Sequence, residues 1–185
     1  MQGTFELQPH LVGDLIELRP LECDDWQELF GVASDPLIWE QHPARERYQE
    51  SVFKEFFKEA LESGGAFAVI DRQTQKIIGS SRYFGFDPVK SEVEIGWTFL
   101  ARSHWGGKYN GELKSLMLDH AFKFVESVVF LIGQDNIRSQ KAVEKIGGRL
   151  IEGRVKIIRG EAVDQVVYAI SKSPALRKRK SDSRQ

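Results

Sequence analysis

The amino-acid sequence predicts an α+β protein built on a central mixed, mostly antiparallel, twisted sheet of about seven strands flanked by about four helices. Three observations carry this. Residues 66–70, 76–86 and 92–100 read as strands in quick succession, joined by turns at 71–75 and 87–90, which makes an antiparallel meander. From Gly111 onward the apolar period changes from two to that of a helix. A short apolar run at 128–132 follows that helix, so strand 92–100, the helix and strand 128–132 form one parallel crossover in an otherwise antiparallel sheet.

Each element has its own local reason. Residues 15–19 form a short strand closed by Pro20, and Asp24 or Asp25 offers an N-cap to a first helix carrying Trp26, Leu29 and Phe30. Residues 35–43 hold Pro36, Trp39, His42 and Pro43, and read as an irregular connection or a single turn. Tyr48, Val52, Phe53, Phe56, Phe57, Ala60 and Leu61 share one helical face, which Gly64 and Gly65 terminate. In strand 92–100, Val93, Ile95, Trp97 and Phe99 alternate with Glu92, Glu94, Gly96 and Thr98, which assigns the two sets to opposite faces. Leu113, Met117, His120 and Phe124 lie on the crossover helix's apolar face, where His120 reads as a core histidine. Ser139, Ala142, Val143 and Ile146 mark a fourth helix stopped by Gly147 and Gly148, and strands near 150–158 and 163–170 straddle a turn at 159–161.

Composition narrows the function. Twenty-six basic residues against 27 acidic ones leave a net charge of -1 over 185 residues, without the basic excess of a protein that coats nucleic acid or an anionic membrane. The longest apolar run is too short to span a bilayer, and residues 1–15 lack the features of a signal peptide, so a cytoplasmic location is expected. One cysteine, Cys23, excludes an internal disulfide framework and a cysteine-rich metal site, and no metal is expected. Residues 1–172 read as one domain and 173–185 as a basic, disordered tail. The segment Arg82–Phe86 matches part of an RNA-binding strand signature, but Tyr83 replaces its glycine and Pro88 ends the strand too early.

The informative segment precedes the crossover helix. Gly106, Gly107 and Gly111 fall within six residues, where backbone N–H groups and the positive end of a helix dipole favour a phosphate, and Lys108 adds charge. The segment is neither G-x-x-x-x-G-K-[ST] nor G-x-G-x-x-G, so nucleoside triphosphate and dinucleotide folds gain no support.

Glu94-Ile95-Gly96-Trp97, Trp105-Gly106-Gly107-Lys108-Tyr109-Asn110 and Asn136-Ile137-Arg138-Ser139, with Glu144-Lys145-Ile146-Gly147-Gly148, resemble GCN5-related N-acetyltransferases in order along residues 11–172. They are most similar to the branch that modifies ribosomal-protein N-termini. The resemblance implies that acetyl-CoA transfers its acetyl group directly to a primary amine, of a protein N-terminus or a small molecule. It places the cofactor's pyrophosphate on Gly106, Gly107, Lys108, Tyr109, Asn110 and Gly111, and its arm beside Trp97, Thr98, Asn136 and Ser139. Against the family pattern Gln/Arg-x-x-Gly-x-Gly/Ala, this chain has Ser103 at the first position and Lys108 at the last.

The same resemblance assigns chemistry. An amine with a pKa of ~10.4 must lose a proton before it attacks. Glu94 is the candidate base, with Glu92 its competitor on the same strand parity. A backbone N–H near Trp97 or Thr98 would stabilise the oxyanion. The family's tyrosine acid is Val143 here, and Ser139 is its expected substitute as thiolate donor. Trp39, His42 and Tyr83 are candidates for the acceptor side. The rival reading is a fold-retaining acyl-CoA sensor or subunit without catalysis. Monomer and homodimer both fit the sequence.

Overall fold

In the computed structural model, residues 5–158 and 161–173 are described. The strands are β1 (Leu11–Val12), β2 (Ile16–Pro20), β3 (Ala66–Asp71), β4 (Ile77–Asp87), β5 (Glu92–Leu100), β6 (Ser127–Gly133), β7 (Arg149–Ile158) and β8 (Glu161–Ser171). They form one sheet in the order β1-β2-β3-β4-β5-β6-β8-β7. The helices are α1 (Trp26–Ala33), α2 (Glu50–Glu62), α3 (Lys108–Ala121) and α4 (Ile137–Lys145). The eighth strand is β1, whose two residues are too few to show a period; it pairs Leu11 with Leu18 and Val12 with Glu17. The expected turn at 159–160 and the tail from 174 lie outside the described residues.

Alternation along β3 divides the core into two layers. Phe67 and Val69 face α3, where they join Ile16, Leu18, Tyr83, Leu113 and Met117. Ala66, Ala68 and Ile70 face α1 and α2, where they meet Leu29, Phe53, Phe56 and Phe57. Two helical boundaries and one cap bond differ from the sequence reading. Tyr48 belongs to a separate 3-10 turn, Arg45–Tyr48, ahead of α2. Asp25 stands at the N-cap position of α1 as expected, but its carboxylate makes no cap bond there: it accepts from Glu22 N at 2.8 Å and pairs with Arg19 at 2.6 Å. Finally, α3 begins at Lys108 rather than Gly111.

β5 holds the larger departure. Its partner β4 advances two residues, from Ser80 to Arg82, while β5 advances three, from Phe99 back to Gly96. The extra residue is a β-bulge, and it sets Trp97 at φ 52. A bulge reverses the alternation beyond it. Val93 and Ile95 face α3, but Phe99 faces α1 and α2, and Trp97 packs on that same layer. Glu94 therefore shares a face with Trp97, which corrects the strict alternation predicted for this strand. Thr98 turns the other way, its Oγ1 2.8 Å from Ser81 Oγ.

A carboxylate fixes α3 to the sheet. Glu112 accepts three hydrogen bonds of 2.8 Å, from the backbone N–H groups of Asp14, Leu15 and Ile16. Gly13 leaves room for it, since a Cβ there would lie 2.5 Å from Glu112 Cδ. Hydrogen bonds to a charged acceptor each contribute about 1.5–3 kcal/mol when lost singly, and these three share one group. Glu112→Ala is expected to lower unfolding free energy by about 2–3 kcal/mol in urea titration, with Glu112→Gln in between. Gly13→Ala is expected to move stability in the same direction, because it displaces the same carboxylate.

Candidate active site

β5 and β6 are hydrogen-bonded only from Glu92↔Ser127 through Val93↔Val128 to Glu94↔Val129. Beyond Glu94 they part, and β6 continues to Gly133 with β8 as its partner on the other side. The opening is a cleft of about 730 Å³. Glu94, Trp97 and Thr98 line it from β5, Phe130 and Ile132 from β6, and Asn110 and Lys114 from α3. Asn136, Ser139 and Val143 contribute from the start of α4, and Trp39, His42, Arg47, Phe56 and Glu59 from the α1–α2 side. Because the bulge sends Trp97 and Thr98 to opposite faces, the cleft opens on both sides of the sheet between two strands that have ceased to pair.

The turn into α3 is built for a small exposed backbone. Gly106 and Gly107 have φ of 104 and 116, values that a side chain disfavours, and a Cβ at either would meet nothing within 4 Å. The strain is thus conformational, and the space beside the turn is open. Lys108 is already helical and exposed, so Gly107 takes the special conformation next to it. Lys108, Tyr109 and Asn110 occupy the first turn, where helix N–H groups have no intrahelical acceptor. Gly111 differs from its expected role: its N–H donates to Gly107 O at 2.8 Å within the helix. The turn is braced, with Trp105 Nε1 donating to Leu100 O at 2.9 Å and the Arg138 guanidinium stacked 4.2 Å from the Trp105 ring. Ser103 lies against His104 Nδ1 at 2.9 Å, and His104 Nε2 lies 3.2 Å from Asp71 Oδ2.

Asn136 caps α4, its Oδ1 accepting from Ser139 N at 3.2 Å. That bond presents Ser139 at the cleft. Arg138 ties the same turn to the α1–α2 connection through Arg138 N to Gln41 Oε1 (3.0 Å) and Nη2 to Ile38 O (2.7 Å).

The candidates separate clearly in space. Glu94 lines the cleft, whereas Glu92 pairs with Ser127 in the closed part of the ladder and does not. Trp39 is buried, donates Nε1 to Ala33 O at 2.7 Å and shows the cleft only part of its ring. His42 lines the cleft, accepts from Ala44 N at Nδ1 (2.9 Å) and has Nε2 3.2 Å from Arg47 Nη1. Burial, reinforced by Arg47, lowers its pKa to about 3. Tyr83 is not on the acceptor side. It is wholly buried beneath α3, where its hydroxyl donates to Met117 O, because it stands opposite Ile95, which faces α3. His120 is also buried there, against Glu6 O at 2.8 Å.

Two buried cations, Lys114 lining the cleft and Arg82 behind Trp97, were not assigned to the site from the sequence. Lys114 is buried, with Nζ 2.6 Å from Thr98 Oγ1. A lysine one turn before Met117 and Leu118, on an apolar helical stripe, was the available signal. Arg82 is buried with its guanidinium 4.6 Å from the Trp97 ring and 5.6 Å from that of Phe56. Its Nε and Nη2 have no hydrogen-bond partner among the described residues. Burial lowers its pKa to about 10 against the opposing pull of Glu59 and Glu94. Among the described residues no cluster of three or more His, Cys, Asp or Glu side chains could hold a metal ion, and no helix is long and apolar enough to cross a membrane.

Known proteins share this fold. Residues 16–149 match the family described as Acetyltransferase (GNAT) domain. An uncharacterized N-acetyltransferase of Bacillus subtilis, YnaD, is 28% identical over 169 residues, 87% of this chain and 96% of that protein. A GCN5-related N-acetyltransferase from Brucella melitensis superposes with a TM-score of 0.80 at 20% identity, over 95% of this chain and 85% of the other. The spermidine N-acetyltransferase of Vibrio cholerae, solved with CoA and spermine, shares the fold with a TM-score of 0.67 at 20% identity, over 88% and 98% of the two chains. With the sheet parted beside a glycine turn and a family match across most of the chain, this protein belongs to the GNAT acetyltransferase family.

Proposed function

We propose that the chain is an acetyl-CoA-dependent N-acetyltransferase acting on a primary amine, of a protein N-terminus or a small molecule, in a ternary complex. The observation that carries the reading is the parting of β5 from β6 immediately after Glu94, which leaves a carboxylate at the edge of an open cleft. The residues present suit the cofactor. Gly106 and Gly107 keep side chains away from the turn, and the first turn of α3 offers N–H donors and a dipole to phosphate. The cleft beyond Asn110 has room for an extended arm. When bound, acetyl-CoA supplies the activated acyl group as a thioester.

The chain's own residues do the rest. An aliphatic amine is almost wholly protonated near neutral pH, so Glu94 takes its proton, directly or through water, as the amine approaches from the α1–α2 face. Trp97 and Phe56 exclude bulk water from that face, and Arg82 behind them bears on Glu94 electrostatically. A backbone N–H at the Trp97–Thr98 bulge stabilises developing negative charge on the acyl oxygen. Ser139, held by the Asn136 cap, donates toward the leaving sulfur. His42, with its pKa near 3, is neutral throughout the working range and serves as wall rather than base. The similarity to enzymes of ribosomal-protein N-termini supports testing peptides alongside small amines.

Free-thiol release from acetyl-CoA across a panel of N-terminal peptides, polyamines and amino-acid amines tests the assignment. Glu94→Gln is expected to lower kcat on the responsive amine by about 10²-fold or more and to remove the acidic limb of the pH–rate profile, along which the rate rises as the base loses its proton. His42→Asn should leave the shape of that profile unchanged, since a group titrating near pH 3 contributes nothing above pH 5. Full turnover in both Glu94→Gln and Ser139→Ala would overturn the assigned chemistry. Binding of acetyl-CoA without thiol release on any acceptor would instead identify a non-catalytic acyl-CoA sensor.

A further inference from the structure

Lys114 is a buried charged group that the chemistry above leaves unused. It stands on α3, 5% exposed, and reaches up between the parted strands. Its Nζ lies 2.6 Å from Thr98 Oγ1 on one wall and 5.5 Å from the Phe130 ring centroid on the other. Thr98 Oγ1 is itself engaged by Ser81 Oγ at 2.8 Å. No carboxylate pairs with Lys114 among the described residues, and burial alone lowers its pKa, to about 7. An amine carries two N–H donors and an ammonium three, of which Thr98 takes one. At least one donor therefore faces the cleft, and a buried donor without an acceptor is costly in free energy.

We propose that Lys114 is a recognition group for the arm of the ligand that enters the cleft, its Nζ donating to a carbonyl oxygen of that arm. The inference rests on the acetyl-CoA reading. Position selects the ligand group. Lys114 lies six residues into α3, so the helix rise puts it about 9 Å beyond the turn that suits phosphate. A ligand anchored there by its phosphates presents its uncharged arm, which in acetyl-CoA carries amide and thioester carbonyls. Thr98 and the Phe130 ring flank the amine with no competing anion, which suits a neutral acceptor. An apolar residue would close this floor more cheaply; an amine is useful only to something that accepts a hydrogen bond.

Calorimetric titration of two ligands into wild type and Lys114→Met separates the alternatives. Acetyl-CoA has the arm, and adenosine 3′,5′-bisphosphate lacks it. Lys114→Met is expected to weaken acetyl-CoA about tenfold and to leave the bisphosphate unchanged. Equal Kd values for acetyl-CoA in the two proteins, or an equal loss for both ligands, would overturn the proposal, the second by assigning Lys114 to the fold. Failure of wild type to bind acetyl-CoA would sink the cofactor reading itself. If Lys114→Met does not fold, the wild type still decides. A carbonyl acceptor favours the ammonium and raises the Lys114 pKa from about 7, so acetyl-CoA should take up more protons than the bisphosphate at pH 8. His42, Arg45, Glu46, Arg47, Glu59 and Glu94 also line the cleft, with Arg82 behind Trp97. Repeating the comparison in Glu94→Gln removes the β5 carboxylate of the opposite face, and loss of the excess uptake there would assign it to Glu94 and overturn the proposal.

Discussion

Everything distinctive about this site depends on one extra residue in β5. Without the bulge at Trp97, Thr98 would share a face with Glu94 and Gly96, and Phe99 would leave the α1–α2 core. With it, the strand shows Glu94 and Trp97 to one layer and Thr98 to the other. The same strand stops pairing with β6 after Glu94, so the sheet has a gap where its faces exchange character. A left-handed conformation at a tryptophan is unfavourable alone, and it persists because Phe99 and Leu100 are locked into opposite core layers beyond it. Core packing holds the strain, and the gap is where it becomes useful.

Charged side chains are gathered around that gap on both of its faces. On the α1–α2 side, Arg47 lies over Trp39 and Phe56, and Arg82 lies between Phe56 and Trp97. Two guanidinium groups thus share one aromatic wall with Glu59 and Glu94. On the α3 side a single buried amine meets a threonine and a phenyl ring. The near-neutral composition of the chain conceals this local sorting of charge. A global count averages over a cleft in which one wall mixes guanidinium groups with carboxylates and the other carries a buried amine.

Much of the fold was legible because its signals are periodic and local. The meander, the change of period at the crossover and the glycines closing α2 and α4 depend on neighbours within a few residues. So did the glycine turn, and with it Asn136 and Ser139, since a cap and its first helical turn are one local motif. Other features depend on partners far along the chain. Alternation assigned Trp97 and Phe99 to the wrong face, because a bulge is defined by two strands and only one was being read. Tyr83 looked like a cleft residue by sequence position, yet its hydroxyl is taken by Met117 in the core. Lys114 and Arg82 passed unnoticed because a charged side chain within an apolar segment usually reaches solvent. These two do not, and tertiary structure alone shows it.

The Glu112 clamp also bears on the order in which the molecule comes together. Its partners lie 96–98 positions earlier in the chain, so the bond cannot form until the start of β2 has met a helix made much later. Local contacts allow α3 to nucleate early, but closing so long a loop is slow. The glycine turn, a few residues before Glu112, therefore reaches its final position only after the far edge of the sheet has assembled. The final placement of that turn thus comes late in folding, as a consequence of a contact with residues far from it in the chain.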